Sequence, residues 1–151
     1  MPDLRELYQE LIVDHSKRPR NFGKLEGANQ QAVGYNPLCG DKIAVYVKMK
    51  DDVVEDVHFE GSGCAISTAS ASMMTEKFKG KTRQEAEELF EIFHHLVTGG
   101  ADKDGDTSGK LGKLAAFAGV SEFPVRVKCA TLAWHTVRSA MRGDQDLVST
   151  E

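Results

Sequence analysis

The chain of 151 residues contains three cysteines, Cys39, Cys64 and Cys129, and each lies in a local sequence that suits a metal-binding thiolate. Proline and glycine surround Cys39, and Asp41 follows it two residues later, so this carboxylate is a candidate fourth ligand. Cys64 follows Gly61-Ser62-Gly63, and both Cys64 and Cys129 are predicted to lie at helix starts. Backbone amides at a helix start favour the thiolate, which is the form that binds metal and attacks sulfur.

Three thiolates and one carboxylate form a donor set that suits tetrahedral zinc. Structural zinc sites usually draw their ligands from cysteine and histidine alone, so an exchangeable oxygen ligand indicates a functional site. Four anionic ligands around a divalent ion leave a net negative charge, and Arg126 and Lys128 precede Cys129. We predict that Arg126 is the charge partner. If Val125 and Val127 face inward on a short extended segment, both cations share the opposite face, and the pattern does not decide which points at the metal.

Two other interpretations of the cysteines stay open. Free cysteines are common as small buried hydrophobic residues, so the three thiols could be structural and unrelated to one another. Alternatively, the thiols could hold a purely structural zinc ion in a domain that acts only as an interaction module. In that case, removing zinc would unfold the protein without any loss specific to one partner.

Length and composition favour an ordinary globular protein with one domain. Hydrophobic residues make up 40% of the chain and charged residues 28%, and the net charge of -4 offers no broad basic surface for nucleic acid. The sequence has no uninterrupted apolar stretch of the roughly 20 residues that cross a bilayer. Three cysteines without a secretion signal favour reduced thiols over a disulfide framework. We therefore expect a cytoplasmic protein that does not bind membranes or nucleic acid.

Hydrophobic periodicity predicts an N-terminal amphipathic helix and then a pair of strands. Apolar residues alternate with polar ones over residues 43–49 and again over 53–59, and Asp51-Asp52 supplies a turn between them. The two strands should form an antiparallel hairpin. Because a hairpin returns the chain to its starting edge, Cys39 and Cys64 should converge.

The second half of the chain is predicted to be mainly helical. One helix should follow Cys64 and stop at Gly80, and the capping box that begins at Thr82 should start another. The last helix should end before Gly143. Residues 16–36, rich in glycine, proline and asparagine, are predicted to be an extended connection on the surface. Residues 98–112, rich in glycine, aspartate, lysine and serine, are predicted to be a mobile loop, and the polar tail is predicted to be disordered.

Four segments, at residues 14–21, 36–41, 61–67 and 126–134, resemble the U-type iron-sulfur cluster assembly family: DHSKRPRN, NPLCGD, GSGCAIS and RVKCATLAW. Two features are similar to the SufU branch rather than the IscU scaffold branch. Lys128 stands where scaffolds carry histidine, and Thr98 to Gly112 falls where SufU proteins carry an insertion. The resemblance implies an α+β fold in which a small antiparallel sheet of about three strands packs against several helices. It also implies one domain over residues 1–143 and a tail over 144–151; the third strand is implied by the resemblance alone.

The activity that the resemblance implies is that of a zinc-dependent sulfur acceptor. The family's zinc ligands match Cys39, Asp41, Cys64 and Cys129, and the sulfur donor is a pyridoxal-phosphate cysteine desulfurase of the SufS type. Downstream proteins of the SUF system would receive the sulfur. Zinc keeps the thiolates deprotonated, and a thiolate released from the metal becomes a nucleophile able to attack a persulfide.

The resemblance also implies the roles of individual residues. Cys39 is the sulfur acceptor, although the sequence alone does not rank it above Cys64, and Arg126 stabilises the released thiolate or persulfide. Asp41→Ala is expected to trap a cluster while impairing sulfur transfer. The alternative is an IscU-like scaffold that assembles a [2Fe-2S] cluster on the same cysteines, with iron or a transient cluster in place of zinc.

Overall fold

The computed structural model describes residues 4–37, 40–98, 114, 116, 117, 120, 123–143 and 148–149. Within these residues the elements are, in chain order, α1 (Leu4–Lys17), β1 (Gln30–Asn36), β2 (Asp41–Lys50), β3 (Val53–Ser62), α2 (Ala65–Phe78), α3 (Arg83–Val97), α4 (Pro124–Met141) and β4 (Val148–Ser149). The predicted α+β class is confirmed. None of the helices among the described residues is both long enough and apolar enough to cross a membrane.

The sheet has the strand order β3-β2-β1-β4. The predicted hairpin is confirmed, because β2 and β3 pair antiparallel across Asp51 and Asp52. Both aspartates adopt left-handed backbone conformations, with φ of 51° and 67°. Aspartate tolerates this region better than most residues, which fits the turn chemistry expected from the sequence.

The third antiparallel strand is β1, which pairs with β2 along its whole length. The prediction of a surface connection for 16–36 is wrong for this part. The strand has little alternation of its own, and its conformation depends on tertiary contacts. A side chain at Gly34 would collide with the Thr136 hydroxyl, which shows how closely β1 approaches α4.

Part of the C-terminal tail is also ordered. Val148 and Ser149 form β4, which pairs parallel with Gly34 and Tyr35 of β1. The prediction of a disordered tail is therefore wrong for these two residues. The domain boundary at residue 143 stays a prediction.

The core lies between the sheet and the helices. α4 packs against β1 and β2, α2 packs against β3, and both α2 and α3 contact α4. Trp134 of α4 is buried at the centre, where it stacks on Phe93 with ring centroids 4.2 Å apart and meets the edge of Phe78 at 5.2 Å. These aromatic contacts fix the orientation of the helix that carries Cys129.

The helix boundaries agree with the sequence except at α4. α2 ends just before Gly80, which has φ of +83°, and Thr82 forms the predicted capping box with Glu85. The start of α4 is different, because Pro124 begins the helix and Val125 is 51% exposed. The condition considered from the sequence, an extended segment with an inward-facing Val125, is therefore not met, since the fixed φ of proline suits the first helical turn. Residues 99–112 of the predicted mobile loop lie outside the described residues.

Candidate metal centre

Asp41 is placed by the first residue pair of the β1–β2 ladder. It begins β2 directly opposite Asn36, and its side chain is completely buried. Its two carboxylate oxygens face different groups of Cys64: Oδ1 accepts a hydrogen bond from the backbone amide at 2.8 Å, and Oδ2 lies 3.9 Å from the sulfur. A buried carboxylate is costly without a counter-charge, so this geometry favours a cation beside Oδ2.

Cys64 is the N-cap residue of α2, which confirms its predicted position at a helix start. Its backbone is extended, and its sulfur accepts a hydrogen bond from the backbone amide of Ser67 at 3.4 Å. The side chain is only partly buried. Its sulfur is thus placed by the helix terminus while staying within reach of solvent.

Cys129 lies in the second turn of α4 and is 1% exposed. The predicted helix-start position is wrong, because α4 begins five residues earlier, at Pro124. The next residue, Ala130, is tied to α2, since the Ser70 hydroxyl donates to its carbonyl at 2.5 Å and itself accepts from the Trp134 indole at 3.0 Å. This buried link between α2 and α4 sets the distance between the helices that carry the two thiols.

These three residues form the one group of at least three potential metal ligands among the described part of the chain. One ligand atom each from Asp41, Cys64 and Cys129 lies within 4.8 Å of the others. In tetrahedral zinc coordination the expected separations are about 3.5 Å between oxygen and sulfur and about 3.8 Å between two sulfurs. The observed 3.9 Å between Asp41 Oδ2 and the Cys64 sulfur is close to the first value. The donor set therefore suits a zinc ion, and binding would draw ligand atoms that lie within 4.8 Å of one another closer together.

Two further predicted site residues are not part of this group. Cys39 lies outside the described residues; in sequence it falls in the connection between Asn36 and Asp41. Arg126 is described and exposed, and its guanidinium lies over the Phe123 ring, 4.9 Å from the centroid. The ligand role of Cys39 and the charge role of Arg126 stay predictions.

Two residues of the site were missed from the sequence. A side chain on Gly63 would place its Cβ 2.6 Å from Asp41 Oδ1, so glycine makes room for the carboxylate. Asn36 donates a hydrogen bond to the Cys129 sulfur at 3.5 Å. The glycine beside Cys64 was a signal that a backbone or side chain approaches closely, whereas nothing local linked Asn36 to a cysteine 93 positions away.

Comparison with known proteins agrees with this architecture. Residues 7–130 match the family described as NifU-like N terminal domain. The chain belongs to this family. The family match spans β1, β2, β3, α2 and α3, together with Asp41, Cys64 and Cys129.

This chain is 43% identical to each of two bacterial relatives, which carry different names. One is the iron-sulfur cluster assembly scaffold protein IscU of Streptococcus pyogenes serotype M1, with 92% of this chain and 85% of the relative covered. The other is the zinc-dependent sulfurtransferase SufU of Bacillus subtilis, with 95% of both covered.

A solved structure also resembles this chain. It is the putative iron-sulfur cluster assembly scaffold protein for the SUF system from Fervidobacterium islandicum AW-1. The two chains share 38% identity and a TM-score of 0.81, with 92% of this chain and 99% of the other covered. The resemblance to the U-type family noted from the sequence motifs is confirmed.

Proposed function

We propose that this protein acts in iron-sulfur cluster assembly as a zinc-dependent sulfur acceptor. The observation that carries the proposal is the convergence of Asp41, Cys64 and Cys129 at one point between the sheet and two helices. The similarity to the Bacillus subtilis zinc-dependent sulfurtransferase over nearly the whole chain supports it. The proposed sulfur donor is a cysteine desulfurase of the SufS type, and the proposed recipients are other SUF proteins.

The proposed zinc ligands are Asp41, Cys64 and Cys129, with Cys39 as the fourth. Zinc supplies a Lewis acid that keeps the sulfurs as thiolates. The chain's own contribution is to hold the ligand atoms on three elements: Asp41 at the start of β2, Cys64 at the N-cap of α2 and Cys129 in the second turn of α4. Asp41 is the oxygen donor, and its backbone contact to Cys64 keeps the carboxylate in place while another ligand is exchanged.

The proposed transfer conserves atoms and electrons. The thiolate of Cys39 attacks the outer sulfur of the persulfide on the desulfurase, and a new sulfur-sulfur bond forms on this protein. The sulfur-sulfur bond on the desulfurase breaks, and its cysteine leaves as a thiolate. The persulfide of the desulfurase becomes a thiolate as the thiolate of Cys39 becomes a persulfide, so the exchange needs no external oxidant or reductant. Arg126 is exposed and could therefore turn from the Phe123 ring toward the negative charge of the product.

The second candidate is a scaffold that assembles a [2Fe-2S] cluster on the same cysteines. The chain is 43% identical to the Streptococcus pyogenes scaffold protein, the same identity that it has to the Bacillus subtilis sulfurtransferase, and this similarity favours the scaffold. In that case iron and sulfide are the cargo of the site. Iron together with acid-labile sulfide in anaerobically purified protein would support the scaffold.

Desulfurase turnover tests the proposed function. A purified SufS-type desulfurase is assayed with cysteine and reductant, alone and with the zinc-loaded protein. We expect strong stimulation by the wild type and its loss in Cys39→Ala. The variant Ser62→Ala is the matched control, because Ser62 is exposed and lies near Cys64, and it should stimulate like the wild type.

Failure of a folded, zinc-loaded wild type to stimulate the desulfurase would overturn the sulfur-acceptor proposal. The cluster scaffold would then be preferred. Full stimulation by Cys39→Ala would instead show that a different thiol, such as Cys64, accepts the sulfur.

A further inference from the structure

The cross-strand pair Asn36 and Asp41 sends one polar side chain to each of the two described cysteines. Asp41 contacts Cys64, and Asn36 donates from its amide nitrogen to the Cys129 sulfur at 3.5 Å. Asn36 is completely buried at the end of β1, opposite Asp41 in the ladder. Asn36, the last residue of β1, and Asp41, the first residue of β2, therefore contact different cysteines of the same site.

The Asn36 side-chain amide is oriented with its nitrogen, not its oxygen, toward the Cys129 sulfur. A side-chain amide offers hydrogen-bond donors on nitrogen and an acceptor on oxygen, and only the nitrogen is compatible with an electron-rich sulfur. The hydrogen bond stabilises negative charge on the Cys129 sulfur and holds it in one position. Residues that orient metal ligands in this way affect metal affinity and ligand reactivity.

The two described thiols differ in how they are held. Cys64 is partly exposed, and its sulfur accepts from the backbone of Ser67 in its own helix. Cys129 is buried, and its sulfur is bound by a side chain from a different element. The asymmetry separates a cysteine that is partly exposed from one that is enclosed.

We propose that Asn36 is a positioning residue that holds the Cys129 sulfur in the metal centre through its amide, so that Cys129 remains a ligand while another thiol is released. The inference rests on the metal site of the proposed function and adds a positioning role for Asn36 in that site. It depends on the hydrogen bond, the burial of both residues and their pairing across elements that lie far apart in the sequence. The desulfurase takes no part in its test.

The test combines thiol labelling with a spectroscopic readout. Zinc-loaded wild type, Asn36→Asp and Asn36→Ala are treated with N-ethylmaleimide, and the labelling rate of each cysteine is measured by peptide mass spectrometry. Asn36→Asp keeps the size of the side chain but replaces the donor with a carboxylate, and Asn36→Ala removes it. We expect the rate at Cys129 to rise at least about tenfold in both variants, with a smaller change at Cys64.

The same proteins loaded with Co²⁺ report on the sulfur itself. Losing an N–H donor raises the energy of the sulfur lone pairs, so the thiolate-to-cobalt charge-transfer band should move to longer wavelength in both variants. Asn29→Asp is the matched control. The Asn29 amide nitrogen donates to the Met49 carbonyl at 2.8 Å on the exposed end of the hairpin, and its loss should move neither readout.

Each outcome decides the inference. An unchanged labelling rate at Cys129 with an unmoved cobalt band overturns it. Equal acceleration at Cys64 and Cys129 with an unmoved band also overturns it, because that pattern reports general loosening of the fold. If Asn36→Ala does not fold, the isosteric Asn36→Asp gives the answer.

Failure of the inference is distinguishable from failure of the proposed function. A wild type that binds neither zinc nor cobalt overturns both. A wild type that binds metal but does not stimulate the desulfurase overturns only the transfer activity. Metal binding with Asn36 variants that behave like the wild type overturns only the assignment of Asn36.

Discussion

At the scale of single residues, the site depends on a carboxylate with two separate tasks. Asp41 Oδ1 accepts from the Cys64 amide, which leaves Oδ2 facing the Cys64 sulfur. The first contact fixes the side chain in the rotamer that presents the second oxygen. Gly63 makes the arrangement sterically possible, because any side chain there would meet Oδ1.

We predict that Gly63→Ala weakens zinc binding without unfolding the protein. The new Cβ would lie 2.6 Å from Asp41 Oδ1, which is too close, so the carboxylate must shift. Outer residues that orient metal ligands typically change affinity by about 10- to 100-fold, and we expect a loss in this range. Competition with a chromophoric chelator measures it. Ser62→Ala at the neighbouring exposed position is the control, and equal affinities of both variants would contradict the role of Gly63.

At the scale of elements, two helices begin with the same type of cap. The Thr82 hydroxyl accepts from the Glu85 amide at 3.1 Å, and the Cys64 sulfur accepts from the Ser67 amide at 3.4 Å. At α3 the cap serves stability alone, while at α2 the capping atom is also a candidate ligand. A cap that doubles as a ligand places the sulfur beside the free backbone amides at the start of α2.

We predict that Thr82→Ala lowers the free energy of unfolding by about 1 kcal/mol, because an N-terminal amide of α3 loses its acceptor. Urea unfolding followed by circular dichroism measures the change. Thr82→Ser keeps the hydroxyl and should retain most of the stability. Zinc affinity should be the same in all three proteins, since Thr82 is not one of the candidate ligands. A variant that lost zinc binding while keeping its stability would contradict this separation.

At the scale of the whole molecule, the candidate ligands belong to β2, α2 and α4, so a bound ion would link the sheet to two helices. The protein also has a large core that does not involve these ligands, centred on Trp134, Phe93 and Phe78. The fold should therefore form without metal and gain stability from it.

We predict that removing zinc with a chelator lowers the melting temperature but leaves the protein folded. Zinc at a thousand times its dissociation constant would add about 4 kcal/mol to the free energy of unfolding. Far-ultraviolet circular dichroism should keep its helical signal at 25 °C after chelation, and re-added zinc should restore the higher melting temperature. Loss of the helical signal on chelation would instead support a purely structural zinc domain.

The interface between α3 and α4 should make stability depend on pH. Burial, and to a lesser extent Arg138 and His94, lowers the pKa of His135 from 6.5 to about 4. The unfolded chain takes up the proton near pH 6.5, whereas the folded protein does so only near pH 4. The free energy of unfolding should therefore fall as the pH drops from 6.5 to 4.

We predict that His135→Gln flattens this pH dependence, because the substituted side chain does not titrate. Urea unfolding at pH 7, 6, 5 and 4 gives the slope. The control is His95→Gln, since His95 is an exposed histidine at the end of α3. The control should keep the slope of the wild type, and an unchanged slope in His135→Gln would overturn the assignment.

Local signals in the sequence predicted much of the fold. Alternation predicted the β2–β3 hairpin, and the Thr82 capping box predicted the start of α3, because each depends on residues within a few positions of one another. The cysteines and the motifs around them indicated both the family and a metal site. The hairpin also predicts that Cys39 and Cys64, which flank it, lie close together, and this stays a prediction because Cys39 lies outside the described residues.

Tertiary structure alone decided the features that join distant parts of the chain. The β1 strand forms because β2 and α4 offer it partners, and Cys129 lies in the second turn of α4 rather than at its start. The hydrogen bond from Asn36 to Cys129 connects positions 93 residues apart. No local pattern encodes such a contact, because it exists only once packing has brought the end of β1 against α4.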